Sequence, residues 1–460
     1  MTELFNLKKF KPTPVQIIPA SFFITILMGT ILLMLPFSSS NGNHTGFVTA
    51  LFTATTSVCV TGLVVVDTYA HWSLFGQLII LILIQIGGLG MITIASMLMV
   101  ITHRKFTLGD RLLLQDSFNL NSNSKLLLFL IRVLKGTFIM EGIGAIFYSF
   151  VFIPEFGVRR GLWISVFNAI SAFCNAGMDI IGSNSLIDYR SNPIVMSVTM
   201  ILIVMGGIGF VVWFDILHTF KQGLSRRFSP FTIITRLSEH SKLVITFTGI
   251  LIISGMLLFL LTEYNNPYTI GELGFGAKLA NSLFESITLR TAGFATFSQE
   301  KLTISSCIIA YVLMFIGGSP IGTAGGIKTV TIFLLIMNVK SYVAHLEEDV
   351  VFKRRVTSES MRKASAVAFI GAVAIFTLSL LLSIVNPAPL EDILFEIISA
   401  CGTVGLTRGM TSSLNIGGRL TVILAMYLGR IGPVSLVALL SRKKYDKNKI
   451  NHAEGTFYVG

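Results

Sequence analysis

The chain has 460 residues, 53% of them hydrophobic and only 13% charged, with 41 Gly, 36 Phe and a formal net charge of +12. A soluble domain carries about 25% charged residues, so this composition excludes a body covered by water. The basic excess does not point to nucleic acid, because its distribution follows the apolar segments instead of forming one patch.

In chain order, apolar runs predict eight membrane crossings. They are Ile17–Leu35, Leu74–Ile101, Gly136–Ile153, Ile194–Leu217, Leu243–Leu261, Ile304–Met314 (resuming at Val330–Met337), Ala366–Val385 and Leu420–Leu440. Most are long enough for a hydrocarbon core of ~30 Å at 1.5 Å per residue. Ile17–Leu35 is too long for a signal peptide and no small-residue cleavage site follows, so it reads as a retained first helix. Met1–Lys11, His103–Lys135, His218–Lys242, Lys340–Lys363 and Arg442–Gly460 together hold 25 Lys and Arg, while the intervening loops hold eight. Positive residues stay on the cytoplasmic side, which predicts both termini inside. The segment Lys340–Lys363 reads as a solvated amphipathic connection.

Between the crossings lie four shorter apolar segments, Phe47–Cys59, Leu162–Cys174, Ala277–Thr288 and Leu390–Cys401, each followed by a single glycine. Those glycines, Gly62, Gly177, Gly293 and Gly405, recur at intervals of 115, 116 and 112 residues. An apolar–Phe pair precedes each one: Leu51-Phe52, Val166-Phe167, Leu283-Phe284 and Leu394-Phe395. A glycine-rich pair follows each: Gly87-Gly88, Gly206-Gly207, Gly317-Gly318 and Gly429-Arg430. Roughly a dozen residues cannot cross a bilayer, so each short segment is expected to enter and turn back. Irregular backbone is tolerated at that depth only inside protein or beside water. The fold class predicted is an all-α polytopic membrane protein. It holds four pseudo-fourfold repeats of helix, re-entrant pore helix, filter loop and helix around one pore. The repeats are expected over 1–108, 109–224, 225–348 and 349–445, with a cytoplasmic tail over 446–460.

The tetrads that close the short helices are Cys59-Val60-Thr61-Gly62, Cys174-Asn175-Ala176-Gly177, Arg290-Thr291-Ala292-Gly293 and Gly402-Thr403-Val404-Gly405. They offer no ring of carboxylates. Their backbone carbonyls could converge and replace the hydration shell of a monovalent cation, with glycine supplying a conformation costly to residues that carry a Cβ. A half-helix aiming its C-terminus at that point adds partial negative charge. Asp67 and Asp179 lie just beyond two of the glycines, where they either draw cations to the outer mouth or merely cap loops. Glu285 and Glu396 share one register, matched by Thr53 and Asn168, and Arg290 is the expected ion-pair partner of Glu285.

Repeat three carries a second signal. Gly317-Gly318-Ser319-Pro320-Ile321-Gly322-Thr323-Ala324-Gly325-Gly326-Ile327-Lys328 interrupts an apolar run with five glycines and a proline. No continuous helix survives that composition cheaply, so an irregular loop is expected beneath the filter. Arg430 takes the place of the second glycine of the pair in repeat four, deep in the membrane, where an ionisable residue marks function. Two readings stand side by side. Arg430 sets the resting position of a plug across the pore, or it only satisfies that loop's carbonyls. Lys328 is expected to snorkel to the cytoplasmic interface.

The Gly-Ser-Pro…Thr-Ala-Gly-Gly-Ile-Lys run, Arg290-Thr291-Ala292-Gly293-Phe294, the four single glycines and Gly429-Arg430-Ile431-Gly432-Pro433 resemble the membrane subunit of Ktr-type potassium uptake systems. Those belong to the Trk/Ktr/HKT superfamily, and the match runs through the tail Glu454–Gly460. The resemblance implies a potassium-preferring transporter of the bacterial plasma membrane, with K+ as substrate and Na+ as activator or cotransported ion. The four tetrads would be its filter, and Gly317–Lys328 with Arg430 its gate. It further implies a homodimer with one pore per protomer, embedded in membrane lipid, above a cytosolic KtrA-like ring of nucleotide-binding regulatory subunits that senses ATP or ADP. No cofactor is expected on this chain, and no nucleic acid. A sodium-conducting or sodium-coupled transporter of the same architecture is the nearest alternative. A secondary transporter of a small organic solute is more distant, and an enzyme fails for want of a paired nucleophile and base or a metal-ligand cluster.

Overall fold

The computed structural model describes residues 14–90, 126–182, 184–226, 235–346, 348–352 and 354–432. Pro433, the inner parts expected for Leu74–Ile101 and Leu420–Leu440, most of His103–Lys135 and the tail from 446 lie outside the described residues. One order of elements recurs four times. Helices α1 (Pro14–Leu33), α2 (Phe47–Cys59) and α3 (Leu74–Leu89) form the first set. The second comprises α4 (Leu126–Phe156), α5 (Val158–Cys174), α6 (Pro193–Gly207) and α7 (Phe210–Arg226). The third comprises α8 (Glu239–Glu263), α9 (Phe275–Thr288), α10 (Ile304–Phe315) and α11 (Thr329–Val343), and the last α12 (Ser358–Val385), α13 (Leu390–Gly402) and α14 (Ile416–Ile431). Between α11 and α12 a small antiparallel hairpin, Val350–Val351 with Arg354–Arg355, occupies part of the amphipathic connection.

Local chemistry fixes the helix starts. Ser73, Asn192, Thr303 and Asn415 each accept a backbone N–H in the first turn of α3, α6, α10 and α14, satisfying donors that the helix itself cannot. The short helices α2, α5, α9 and α13 begin at Gly46, Gly157, Gly274 and Pro389 without a side-chain cap. Tertiary packing holds them. Their repeated phenylalanines Phe52, Phe167, Phe284 and Phe395 are all fully buried, each contributing about 2–3 kcal/mol of transfer free energy. Conversely Phe23, Ile24 and Met28 on α1 and Phe369 and Phe376 on α12 face outward, as a lipid-facing surface does.

Among the described residues three helices are long and apolar enough to cross a membrane, Phe129–Phe156, Glu239–Glu263 and Ser358–Val385, with α6 and α7 as a fourth if that bent pair is one span. The run Ile194–Leu217 is therefore not the straight crossing expected from its hydropathy. It bends by 99° between Gly207 and Phe210. The cause is local. Gly209 adopts a φ of +94°, a conformation favoured by glycine, and the Phe210 N–H leaves the helix ladder to donate to the Ile321 carbonyl at 2.9 Å.

Candidate functional site

The four repeated glycines meet. A Cβ placed on Gly62 would lie 2.6 Å from the Ala176 carbonyl oxygen and 3.2 Å from the Gly177 Cα. One on Gly177 would lie 2.5 Å from the Ala292 oxygen and 2.7 Å from the Gly293 Cα. On Gly293 it would overlap the Val404 oxygen, and on Gly405 the Thr61 oxygen. The contacts run from repeat one to two, three, four and back to one, so the ring closes. The tetrads are thus brought together, with the carbonyls of Thr61, Ala176, Ala292 and Val404 packed around the glycines. Among the described residues none of these four oxygens accepts a backbone hydrogen bond.

The backbone reaches this arrangement through strain. Val60, Asn175, Thr291 and Thr403 hold φ values of 55°, 59°, 74° and 52°, and the glycines two residues on hold 100°, 62°, 82° and 95°. A left-handed β-branched residue is uncommon and costs ~1–3 kcal/mol. Three of the four non-glycine positions are β-branched, and all four occur at the same register. Hydroxyls in the last helical turn brace the loop. Thr56 Oγ1 accepts from Gly62 N at 2.9 Å, Ser171 Oγ from Met178 N at 3.1 Å, and Ser399 Oγ from Gly405 N at 3.1 Å. These braces were not singled out from the sequence, although a hydroxyl six residues before the glycine recurs in three repeats.

Above the ring lies a cavity of about 490 Å³ whose lining includes Gly62, Gly177, Gly293 and Gly405. Asp67, Asp179 and Glu300 also line it, and among the described residues no lysine or arginine does. Asp67 caps a short turn by accepting from Ala70 N at 2.6 Å while it lines the cavity. Burial raises the Asp179 carboxyl to about 6, with the bond from Ile181 N acting in the opposite direction.

Below the ring, residues 316–328 break the third repeat's second helix, as expected, and form a compact loop. Ser319 N and Thr323 N donate to Gly207 O at 2.9 Å and Gly206 O at 3.1 Å. Thr323 Oγ1 donates to Phe173 O at 3.0 Å, at the end of α5. Gly325 packs on the Thr403 side chain so closely that a Cβ would overlap its hydroxyl, and Gly326 lies against Gly402 O. Inside the loop Gly317 N donates to Ile327 O at 2.9 Å, Gly318 N to Gly325 O at 3.3 Å, and Ser319 Oγ meets Thr329 Oγ1 at 3.0 Å. Arg430 donates to Thr323 O at 2.6 Å and to Gly87 O. It thereby ties the loop to α3 in repeat one. Lys328 does not snorkel. Its Nζ turns back to donate to Ala324 O at 2.8 Å, within its own loop.

The Glu285–Arg290 ion pair does not form. Arg290 Nη2 reaches Thr248 Oγ1 on α8 at 3.5 Å, whereas Glu285 Oε2 accepts from Gln299 Nε2 at 3.3 Å. The helix α9 ends at Thr288, two residues earlier in register than the other three short helices. Glu396, at the equivalent register, accepts from Thr407 Oγ1 at 2.7 Å and Thr411 Oγ1 at 2.5 Å. Glu141, buried on α4, accepts from Gln85 Nε2 at 3.0 Å and lies 3.9 Å from the Cys174 sulfur. The sequence offers no sign of these contacts of Glu141, because its partners lie 56 and 33 residues away.

Residues 7–453 match the TrkH family model, described as a cation transport protein. The chain is 38% identical to the potassium/sodium uptake protein NtpJ of Enterococcus hirae, with 97% of each chain covered. It is 37% identical to the Ktr system potassium uptake protein B of Bacillus subtilis, again over 97% of each. Among solved structures, the potassium transporter TrkH of Vibrio parahaemolyticus superposes with a TM-score of 0.71 at 15% identity, covering 92% of this chain and 85% of that one. That likeness speaks to the fold.

Proposed function

Because this chain belongs to the TrkH family of cation transport proteins, we propose that it carries potassium into the cell through the ring of tetrad carbonyls. One observation carries the reading. Four glycines from four repeats close a cyclic contact at the floor of a single acid-lined vestibule. Carbonyl dipoles facing a narrow axis can replace the water around a weakly hydrated ion without any full charge in the filter. The C-terminal ends of α2, α5, α9 and α13 add their partial negative charge there. Asp67, Asp179 and Glu300 raise the local cation concentration before entry. An inside-negative potential contributes ~2.3 kcal/mol per charge per 100 mV, so uptake needs no chemical step.

The loop Gly317–Lys328 is the gate in this reading, fastened by Arg430. Its contacts to α5, α13 and, through Arg430, α3 support a role beneath the whole ring. The relatives' names place potassium first and, for NtpJ, sodium beside it. Sodium therefore stands as the competing or cotransported ion. The protein acts with eight crossings, both termini in the cytoplasm and four repeats bounded as expected from the sequence. The name "Ktr system" accompanies the reading of a homodimer over a nucleotide-binding regulatory ring.

The test is rubidium uptake in cells lacking their own potassium transporters, with and without competing sodium. Saturable rubidium uptake, weakly inhibited by equal sodium, is expected. Uptake absent in cells where the protein reaches the membrane overturns the potassium reading, and full sodium competition turns it into the sodium alternative.

A further inference from the structure

Behind the third tetrad two oxygens have no partner. Glu285 on α9 and Gln299 in the segment after the filter are both buried, and they touch through one bond, Gln299 Nε2 to Glu285 Oε2 at 3.3 Å. The remaining oxygens of the same two groups, Glu285 Oε1 and Gln299 Oε1, are buried with no hydrogen-bond partner among the described residues. Both are acceptors, and two acceptors cannot satisfy each other. A single proton on Glu285 Oε1 resolves both vacancies, because a carboxylic acid and a carboxamide then close a two-bond ring.

The surroundings favour the neutral acid. A buried carboxylate needs a countercharge or several donors. No ion pair involves Glu285 among the described residues. The charged groups around it are engaged elsewhere. Glu263 on α8 is held by Asn266, Thr269 and Thr303. Arg290 reaches Thr248. Arg408, after the fourth tetrad, pairs with Asp392 and Glu391, reaches the Cys307 sulfur, and meets Gln299 at its backbone carbonyl. Glu300 and Asp179 face the vestibule. The equivalent acid of repeat four supplies the contrast. Glu396 receives one hydroxyl donor on each oxygen, so neither of its oxygens is left bare.

We infer that Glu285 is a protonated positioning residue whose acid–amide pair with Gln299 fastens the vestibule wall to the third pore helix. Gln299 lines the vestibule next to Glu300. Loss of the proton would set two bare oxygens against each other, free Gln299 and alter the path by which a cation reaches the ring. The transport consequence rests on the potassium-uptake reading above; the protonation state does not.

The experiment uses the full-length purified protein. Infrared difference spectra between wild type and Glu285→Gln are expected to show loss of a protonated-carboxyl C=O band at neutral pH. Loss of an ionised-carboxylate band instead, or no carboxyl difference, overturns the inference whatever the transport assays give. In proteoliposomes, Glu285→Gln keeps an amide–amide ring and is expected to hold a wild-type KM for rubidium with no alkaline decline. Glu285→Ala is expected to raise that KM about fivefold, the scale of one lost buried hydrogen bond. A glutamine variant as impaired as the alanine variant overturns the pairing, because a charge would then be what matters. Rubidium uptake absent from wild type itself, with the infrared band present, counts against the transport reading and leaves the acid–amide pair standing.

Discussion

Repeat three and repeat four build the same point in the ring by different means. In repeat four the helix α13 ends in a left-handed Thr403, Ser399 receives the Gly405 N–H, and Glu396 is held on both oxygens. Gly429 of its second helix packs on the Cys401 carbonyl, as Gly87 does on Val58 and Gly206 on Phe173. Repeat three keeps the left-handed residue, at Thr291, but departs at the other places. Ile287 stands where Ser399 does and offers no hydroxyl, Thr288 donates to Phe294 O, Glu285 is held on one oxygen, and Gly317 packs on its own loop. Yet Gly293 keeps its φ of +82° and its seat in the ring. The ring is thus the fixed quantity and the scaffold around it is negotiable. Where scaffold is given up, a loop held by polar contacts takes its place.

The largest expected effect tests whether the ring treats its members alike. A left-handed alanine costs about 1–2 kcal/mol before any clash, and a Cβ on Gly405 would meet the Thr61 carbonyl. Gly62→Ser, Gly177→Ala, Gly293→Ala and Gly405→Ala should each reduce rubidium-over-sodium discrimination, about 100-fold if strain and overlap together reach ~2.7 kcal/mol. A silent Gly293→Ala beside three damaged variants would mean that repeat three stands outside the filter. The next effect probes what repeat three received in exchange. Arg430→Ala removes two charge-assisted bonds, to Thr323 O and Gly87 O. If each is worth ~1.5 kcal/mol, the loop's held position loses enough population to raise passive rubidium flux about tenfold or more. Unchanged flux at normal expression would leave Arg430 a purely stabilising residue.

Smaller still is the difference between the braces. Ser399→Ala leaves the Gly405 N–H buried and unpaired, at a cost of ~1–3 kcal/mol, and acts on the filter strand itself. Thr288→Val leaves only the Phe294 carbonyl, outside the tetrad. Ser399→Ala should therefore lower both the melting temperature in detergent and ion discrimination. Thr288→Val should lower the melting temperature alone.

The sequence made one part of this comparison readable and hid the other. Glycine spacing and the buried phenylalanines announce a fourfold plan, because a ring closed by backbone demands the same residue at the same register. The loop announced itself through its own composition. The bend at Gly209 did not, since the hydrogen bond that replaces the helix ladder comes from Ile321, more than a hundred residues away. The partner of Glu285 was missed for a similar reason. The helix α9 ends two residues earlier in register than the other three short helices and Arg290 reaches Thr248, and no local pattern announces that contact. The braces Thr56, Ser171 and Ser399 were legible as a period but faded because repeat three breaks it.

The vestibule supplies the mildest effect, and its sign can be worked out. Burial lifts the Asp179 carboxyl from its usual range to about 6, so the group is charged above that pH and neutral below it. As pH falls through 6 the vestibule loses one negative charge. A unit charge about 8 Å away through water is worth ~0.5 kcal/mol, about a twofold change in local cation concentration. Rubidium uptake at subsaturating concentration should therefore fall about twofold between pH 7 and pH 5, and at saturating rubidium it should not. Asp179→Asn should show the lower uptake at every pH and no step near 6. A step of unchanged size in that variant would assign the titration to another vestibule acid. Because this carboxyl belongs to repeat two, where the brace at Ser171 is intact, the step should persist unaltered in Glu285→Gln, separating entry into the vestibule from the fastening of its wall.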